Sequence, residues 1–417
     1  MIKAMDRKLV VGLEIGTAKV TVLVGQILPD NMINIIGVGS CLSRGMDKGN
    51  VNNLDELVKC VQCAVKQAEL MANCQISSVY LAISSKYINC QNEIGMIPIA
   101  EEEVTQYDVE NVVHNAQSVR ILDEHRILHV IPQDYLIDYQ EGIKNPIGLS
   151  GVRMQAKVHL ITCHNMITKN IIKVVESCQL KVDQLIFSGL ASSMAVLNQD
   201  ERELGVCVID IGCGTMDIAL YTDGALRHTK VIPYAANLVT RDIAYAFSIP
   251  PSDAETIKIS YGCFLESIAD NETIEIPSIG GRPSRILERK TLASVIEPRY
   301  NELLNLVNDE ILKIQEKLRQ QGIKYQLIAG IVLTGGGAQI KGITSCAKDI
   351  FHTQVRIGQP LNITGVEISV GEPYYSTVVG LLHYGKELYL SSESEIQKEA
   401  SIVNWFRKFK SWLKKEF

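Results

Sequence analysis

A chain of 417 residues is long enough for two or more packed units, and 46% hydrophobic with 21% charged residues is an ordinary globular composition. The formal charge of −6 offers no general attraction to nucleic acid, whose phosphates need a basic surface. Eleven cysteines, an odd number without framework spacing, suit a reducing compartment rather than a disulfide scaffold.

The N-terminal MIKAMDRKLVVGLEIG carries charges at Lys3, Asp6, Arg7 and Lys8 and lacks the apolar core of a signal peptide. Three strands are predicted next: RKLVVGLEI, KVTVLVGQI and, after the turn LPDN, MINIIGVGS. A helix follows over about 53–73. It holds a lone Cys60-x-x-Cys63 whose spacing alone would suit redox or zinc chemistry, although no second pair accompanies it. A strand is expected around VYLAIS. The stretch 84–162 reads as a small inserted unit that opens helically, in EEEVTQYDVENVVHNAQ, and continues in strand-like pieces.

The opening grammar then returns. GVCVIDI, TMDIALY and ALRHTKVIP repeat the strand-turn-strand, with Asp210-Ile211-Gly212 standing 196 positions after Glu14-Ile15-Gly16. Two copies of one unusual hairpin suggest a duplicated α/β unit. IAYAFSI and SDAETIKISYG are expected to be helical. A long amphipathic helix runs through NELLNLVNDEILKIQEKLRQQG, with apolar residues at 303, 304, 307, 311, 314 and 318 and Gly322 as its C-cap. A strand through IAGIVL and the turn TGGGAQI follow. From 391 the composition turns polar, as in a linker.

Residues 402–417 differ from the rest. Read as a helix, Ile402, Trp405, Phe406, Phe409, Trp412, Leu413 and Phe417 gather on one face, and Arg407, Lys408, Lys410, Lys414 and Lys415 flank it. Aromatic residues opposite basic ones are the composition of a helix lying in the headgroup region of an anionic bilayer, where each basic residue contributes about 1 kcal/mol. A terminal helix packed on the domain is the plainer alternative. No apolar run approaches the roughly 18–20 residues of a spanning helix.

Chemistry gathers in the glycine-rich turns. Gly16 and Thr17, with Lys19 two residues on, and Gly212, Gly214 and Thr215, flanked by Asp210 and Asp217, expose successive backbone N–H groups that can nest phosphate oxygens. Carboxylates at the strand ends can hold the waters around Mg²⁺. Gly335, Gly336 and Gly337 would let the backbone approach a flat nucleoside. Glu255 and Lys258 share a helix face and could bind a ribose edge, but Ser252 and Glu255 also have the spacing of a capping box, which accounts for Glu255 without any ligand.

These hairpins, the AExxK helix and the late TGGG turn resemble the phosphate and adenosine elements of the actin, Hsp70 and sugar-kinase superfamily. GLEIGTAKV, NIIGVGSCLSRGMDKGNV, HVIPQDYLIDYQEGIKNPIGLSGVRMQAKVHLIT and LTGGGAQIKG together resemble the FtsA family of actin-like bacterial cell-division proteins, over essentially the whole chain. The resemblance implies a duplicated actin-like, RNase H-like α/β fold of two lobes. The first core (1A) would span 1–83, 163–196 and about 361–390, with an inserted α+β subdomain (1C) at 84–162. The second core (2A) would span 197–230 and 305–360, with subdomain 2B at 231–304, then a linker at 391–401 and a membrane-targeting amphipathic helix at 402–417.

It also implies ATP with Mg²⁺ between the lobes. The phosphates would lie on Gly16, Thr17, Lys19, Gly212, Gly214 and Thr215, the metal waters on Asp210 and Glu14, and the adenosine among Glu255, Lys258 and Gly335 to Gly337. Glu14 stands where the superfamily usually has Asp, and Cys213 stands inside the second loop, so tight binding with slow hydrolysis is expected; the sequence nominates no catalytic base. The implied role is a self-associating scaffold that anchors the tubulin-like FtsZ ring to the cytoplasmic side of the inner membrane at the septum and helps recruit later division proteins. The acidic FtsZ tail would meet a basic patch that includes Arg285 and Arg299. A small-molecule kinase and a type IV pilus actin-like assembly protein are the alternatives within the same fold.

Overall fold

The computed structural model describes residues 8–264, 272–277, 284–320, 322, 326–365 and 368–391. The amphipathic segment 402–417 lies outside the described residues.

The two hairpins found in the sequence each start a sheet. Strands Leu9–Ile15, Lys19–Ile27 and Ile33–Leu42 form an antiparallel meander, and Ser78–Ile83 pairs parallel to the first of them, followed by Lys181–Phe187. Strands Val206–Ile211, Met216–Thr222 and Ala225–Ile232 repeat the meander, with Gly330–Thr334 and then Val355–Ile357 added in parallel on the same side. Order and direction agree strand for strand, which is the duplication. The first sheet gains a sixth, short strand, Ile363–Gly365, beside Ile33–Leu42.

Burial explains why the inner strands read as unbroken apolar runs. In Val206–Ile211, Val208 points into the core shared with the first sheet, while Cys207, Ile209 and Ile211 point into a second core with the helices behind. A strand covered on both faces has no polar face to alternate with. The helix Arg289–Gln320 closes that second core with Leu303, Leu304, Val307 and Ile311, while Ile314 and Leu318 pack on Leu220 in a small separate cluster; all six are buried, as the spacing predicts. It begins earlier than expected, before the NELL segment, and carries Pro298 in its interior.

The stretch after residue 84 differs from its sequence reading. It opens with a strand, Ile88–Pro98, not a helix; the helix Gln106–Gln117 comes second, held by a capping box between Thr105 and Asp108. INCQNEIGMIP has few β-branched residues and no clean alternation, so local preference does not announce the strand. Eleven paired positions on Arg153–His164 hold it instead. That strand, His125–Ile137 and Gln140–Ile143 complete a four-stranded sheet with its own core around Val112, Ala116, Met154, Ala156, Val158 and Leu160.

Two helices link the halves. Ser188–Val196 leaves the first sheet toward the second, and a helix over 376–391 returns; it includes Ser391, where the linker was expected to begin. The helices meet where Gly380 lies against Ala191, so closely that a Cβ would stand 1.8 Å from the Ala191 carbonyl oxygen.

Candidate nucleotide site

The duplicated turns close on the same bond. Gly16 N–H donates to the Lys19 carbonyl and Gly212 N–H to the Thr215 carbonyl, each at 2.9 Å. Their tips touch across the molecule: a Cβ on Gly214 would lie 2.4 Å from Thr17 Oγ1. Between them is a cavity of about 480 Å³, in the range of small-ligand sites. Glu14, Gly16, Thr17, Lys19, Asp210, Gly212, Gly214, Thr215, Asp217, Glu255, Lys258 and Gly335 to Gly337 all line it, whereas Arg285 and Arg299 do not.

Three carboxyl groups and one ammonium meet at its floor. Burial raises the Glu14 pKa to about 7, with Lys19 opposing and Asp210 adding to the rise. Burial lowers the Lys19 pKa to about 8 against the pull of Glu14. Asp210 is also raised by burial, although Thr377 Oγ1 donates to its Oδ2 at 2.8 Å. Asp217 is raised further, by burial and then by Asp210, even with Ser84 Oγ donating at 2.6 Å. Glu14 Oε2 and Lys19 Nζ are buried with no hydrogen-bond partner. A lone acceptor and a lone donor on a cavity wall are costly in an empty fold, and both suit a polyphosphate with its hydrated cation. Among the described residues no group of three or more His, Cys, Asp or Glu side chains could hold a bare metal ion.

The far end of the cavity corrects the capping-box reading. The helix Pro251–Tyr261 begins one residue before Ser252, and no side chain caps it. Glu255 Oε2 instead accepts from Lys258 Nζ at 2.7 Å and from the Thr240 hydroxyl. Lys258 also donates to Thr240 Oγ1 at 2.9 Å, so the Glu–Lys pair is a fixed polar wall. Gly335 adopts φ +84°, and a Cβ there would stand 2.3 Å from Asp210 Oδ1, so this turn requires glycine. Tyr300 Oη donates to the Gly337 carbonyl at 2.9 Å and fixes the following residues. Cys213 also lines the cavity, and its carbonyl accepts from Asn237 N–H at 2.8 Å.

Sequence reasoning missed Ser84, Tyr374 and Thr377, which line the cavity from elements with no glycine signature. The crowding of hydroxyls in PYYST is a signal for Tyr374 and Thr377, and Ser84 has none. The Cys60-x-x-Cys63 pair is split, Cys60 buried and Cys63 exposed, with both thiols free. Arg299 is engaged locally, with Asp242 at 2.6 Å and with Glu302; exposed Arg285 donates to the Phe247 carbonyl.

The chain matches the family described as "Cell division protein FtsA" over residues 207–380 and the "SHS2 domain inserted in FTSA" over 85–162. It is 73% identical to the cell division protein FtsA of Escherichia coli K12 over the full length of both chains. It is 58% identical to that of Buchnera aphidicola subsp. Schizaphis graminum, again over both full lengths. The same fold occurs in the PilM–PilN type IV pilus biogenesis complex (TM-score 0.63, 17% identity, 90% of this chain and 98% of that one). It occurs also in MreB5 of Spiroplasma citri bound to AMPPNP (TM-score 0.53, 15% identity, 94% and 100%). At such identities these structures speak for the fold alone, actin-like and shared with the pilus protein, whereas the full-length identities decide the family. The chain belongs to the FtsA family of cell division proteins.

Proposed function

We infer that this division protein binds Mg-ATP between its two hairpin turns, self-associates, and ties the FtsZ ring to the cytoplasmic face of the inner membrane at the septum. The observation that carries the nucleotide reading is the buried, unpartnered pair Glu14 Oε2 and Lys19 Nζ between matched glycine turns. Lys19 and the turn N–H groups would hold phosphate, Asp210 and Glu14 would hold the metal's waters, and Glu255, Lys258 and Gly335 to Gly337 would surround the adenosine. The bound Mg²⁺ would supply charge neutralisation at the phosphates. Glu14 stands where the superfamily usually has Asp and Cys213 stands inside the second loop, so tight binding with slow hydrolysis at most is expected. An MreB of the same fold was obtained with AMPPNP, which supports a nucleotide in this cleft.

Membrane attachment rests on the sequence of residues 402–417, in which a helix would gather seven large apolar residues on one face and leave five basic ones to flank it. Both tryptophans of the chain, Trp405 and Trp412, lie there, so emission reports this segment alone. Anionic liposomes are expected to shift the emission to the blue, more so with Mg-ATP, and deletion of 403–417 to abolish lipid binding. An emission already blue in buffer and unmoved by lipid would mean a docked helix and no anchor. For the partner, reversal of charge at Arg285 and Arg299 is expected to weaken binding of an acidic FtsZ tail peptide. An unchanged Kd rejects that surface.

A further inference from the structure

Lys19 is not idle in the free protein. Its Nζ lies 3.7 Å from the centroid of the Tyr374 ring and 4.5 Å from that of Tyr375, and the two rings stand 4.3 Å apart. A buried ammonium without an acceptor is poorly solvated, and ring faces offset part of that cost.

The rings belong to a segment fastened elsewhere. Gly335 N–H donates to the Pro373 carbonyl at 3.2 Å, Gln339 to Glu372 at 2.8 Å, the Ser376 and Thr334 hydroxyls meet at 2.6 Å, and Thr377 holds Asp210. All four partners are on the second sheet or the turn that leaves it. Lys19 comes from the first hairpin. The helix that starts at residue 376 then packs along the first sheet, with Gly12 against Val378 and Leu381 and Gly385 against Tyr80. The ammonium therefore braces the first hairpin to a segment that both halves share.

We propose that Tyr374 and Tyr375 are a resting site for the Lys19 ammonium, so that nucleotide phosphates must draw Lys19 off the rings to bind, which releases the brace between the first hairpin and the start of the helix 376–391. The inference rests on the nucleotide reading above and deepens it. Phosphate wins because charge-assisted hydrogen bonds to an anion exceed a cation–π contact. Competition nonetheless weakens polyphosphate binding, and only for ligands whose phosphates reach Lys19. Segment 372–377 thus becomes a sensor of phosphate occupancy. Its helix leads, by chain order, toward the C-terminal segment.

The test is calorimetric titration of the full chain with Mg-ATP and with adenosine. Tyr374→Leu removes the ring face and keeps an apolar side chain; it should bind Mg-ATP about threefold to tenfold tighter, with adenosine affinity unmoved. Tyr374→Phe, which keeps the ring face, should follow the wild type. Equal changes for ATP and adenosine, or a Phe variant that behaves like Leu, would overturn the resting site and make Tyr374 a packing residue. If the wild type binds ATP and Tyr374→Leu leaves that affinity unchanged, the brace alone is overturned; if the wild type binds neither ligand, the nucleotide reading falls and takes the brace with it. The unmutated chain offers a second measurement that no folding defect can spoil. With ¹³Cε-labelled lysine, the resonance missing from Lys19→Arg should be ring-current shifted in the free protein and move on addition of Mg-ATP. A resonance at its ordinary position, or one that stays in place, overturns the proposal.

Discussion

Glu14 and Lys19 stand at opposite ends of one turn, and burial pushes their pKa values toward each other, to about 7 and about 8. The unfolded chain would titrate them near 4.5 and 10.5. Between pH 4.5 and 7 the folded Glu14 keeps a proton that the unfolded chain has lost, so the contribution of Glu14 to the stability of the nucleotide-free protein falls as pH rises through that window. Between 8 and 10.5 the folded Lys19 has lost a proton that the unfolded chain keeps, so the contribution of Lys19 rises with pH there. The contribution of the pair is smallest at pH 7–8, and the difference in urea midpoint between the wild type and Glu14→Gln should fall as pH rises from 4.5 to 7. Mg-ATP affinity should do the reverse. Phosphate needs the ammonium and the metal's waters need the carboxylate, so affinity should peak at pH 7–8 and decline as pH passes above 8 or below 7. A flat binding profile would mean that neither group meets the ligand.

Among the elements, the connecting helices set the strictest condition. Gly380 lies at the crossing of Ser188–Val196 with 376–391, and a Cβ there would stand 1.8 Å from the Ala191 carbonyl oxygen and 2.3 Å from its carbon. Backbone cannot yield as a side-chain tip can. Gly380→Ala should therefore cost about 1–3 kcal/mol in denaturant unfolding, as overpacking does, and weaken ATP binding by moving Thr377 off Asp210. A cost under about 0.5 kcal/mol would show that the helices separate freely. This crossing was not legible in the sequence, where GLASSMAVL and YYSTVVGLL read as apolar segments without visible relation. The doubled hairpin was legible, because each copy repeats an acid, Ile and Gly at a strand end and both-face burial writes strands as apolar runs. Ile88–Pro98 was not, because long-range pairing overrides its weak local preference. The glycine half of the site was likewise visible, since the positive φ of Gly335 and the crowding at Gly214 and Gly337 call for glycine. Ser84, Tyr374 and Thr377 were hidden, because a hydroxyl or a ring carries no spacing signal until the fold brings it to Asp217, Lys19 or Asp210.

At the scale of the whole molecule, the inserted four-stranded unit is joined by chain to the first sheet but rests on the second. It meets Ala225–Ile232, the outer strand of that sheet, whose carbonyls would otherwise form an open edge. Side chains cover that edge rather than a backbone ladder: Gln133 Nε2 donates to the Leu226 carbonyl at 2.6 Å, Asn92 Nδ2 to Arg227 at 3.1 Å, and Cys90 Sγ to Thr229 at 3.0 Å. A contact made of separate polar bonds can be released without unfolding either sheet, which a shared ladder could not. Its strongest member is Arg227, 4% exposed, with Nη1 at 2.7 Å from Asp134 Oδ2. Burial alone would raise the Asp134 pKa, yet Arg227 and then Lys144 hold it below its ordinary value. The contribution of Asp134 is therefore present above the unfolded value of about 3.8 and lost as pH falls below it. Asp134→Asn leaves a buried guanidinium without its counter-charge, a change that costs about 3 kcal/mol in comparable sites. Lys144 touches the same carboxylate at 3.1 Å but is half exposed, so Lys144→Ala should cost at most about 1 kcal/mol. Hydrogen exchange decides where the loss falls. If the unit is docked through this ion pair, Asp134→Asn should speed exchange in Ala225–Ile232 while the amides of Leu9–Ile15 keep their protection. A uniform rise across both sheets would mean instead that the inserted unit and the two lobes unfold as one body.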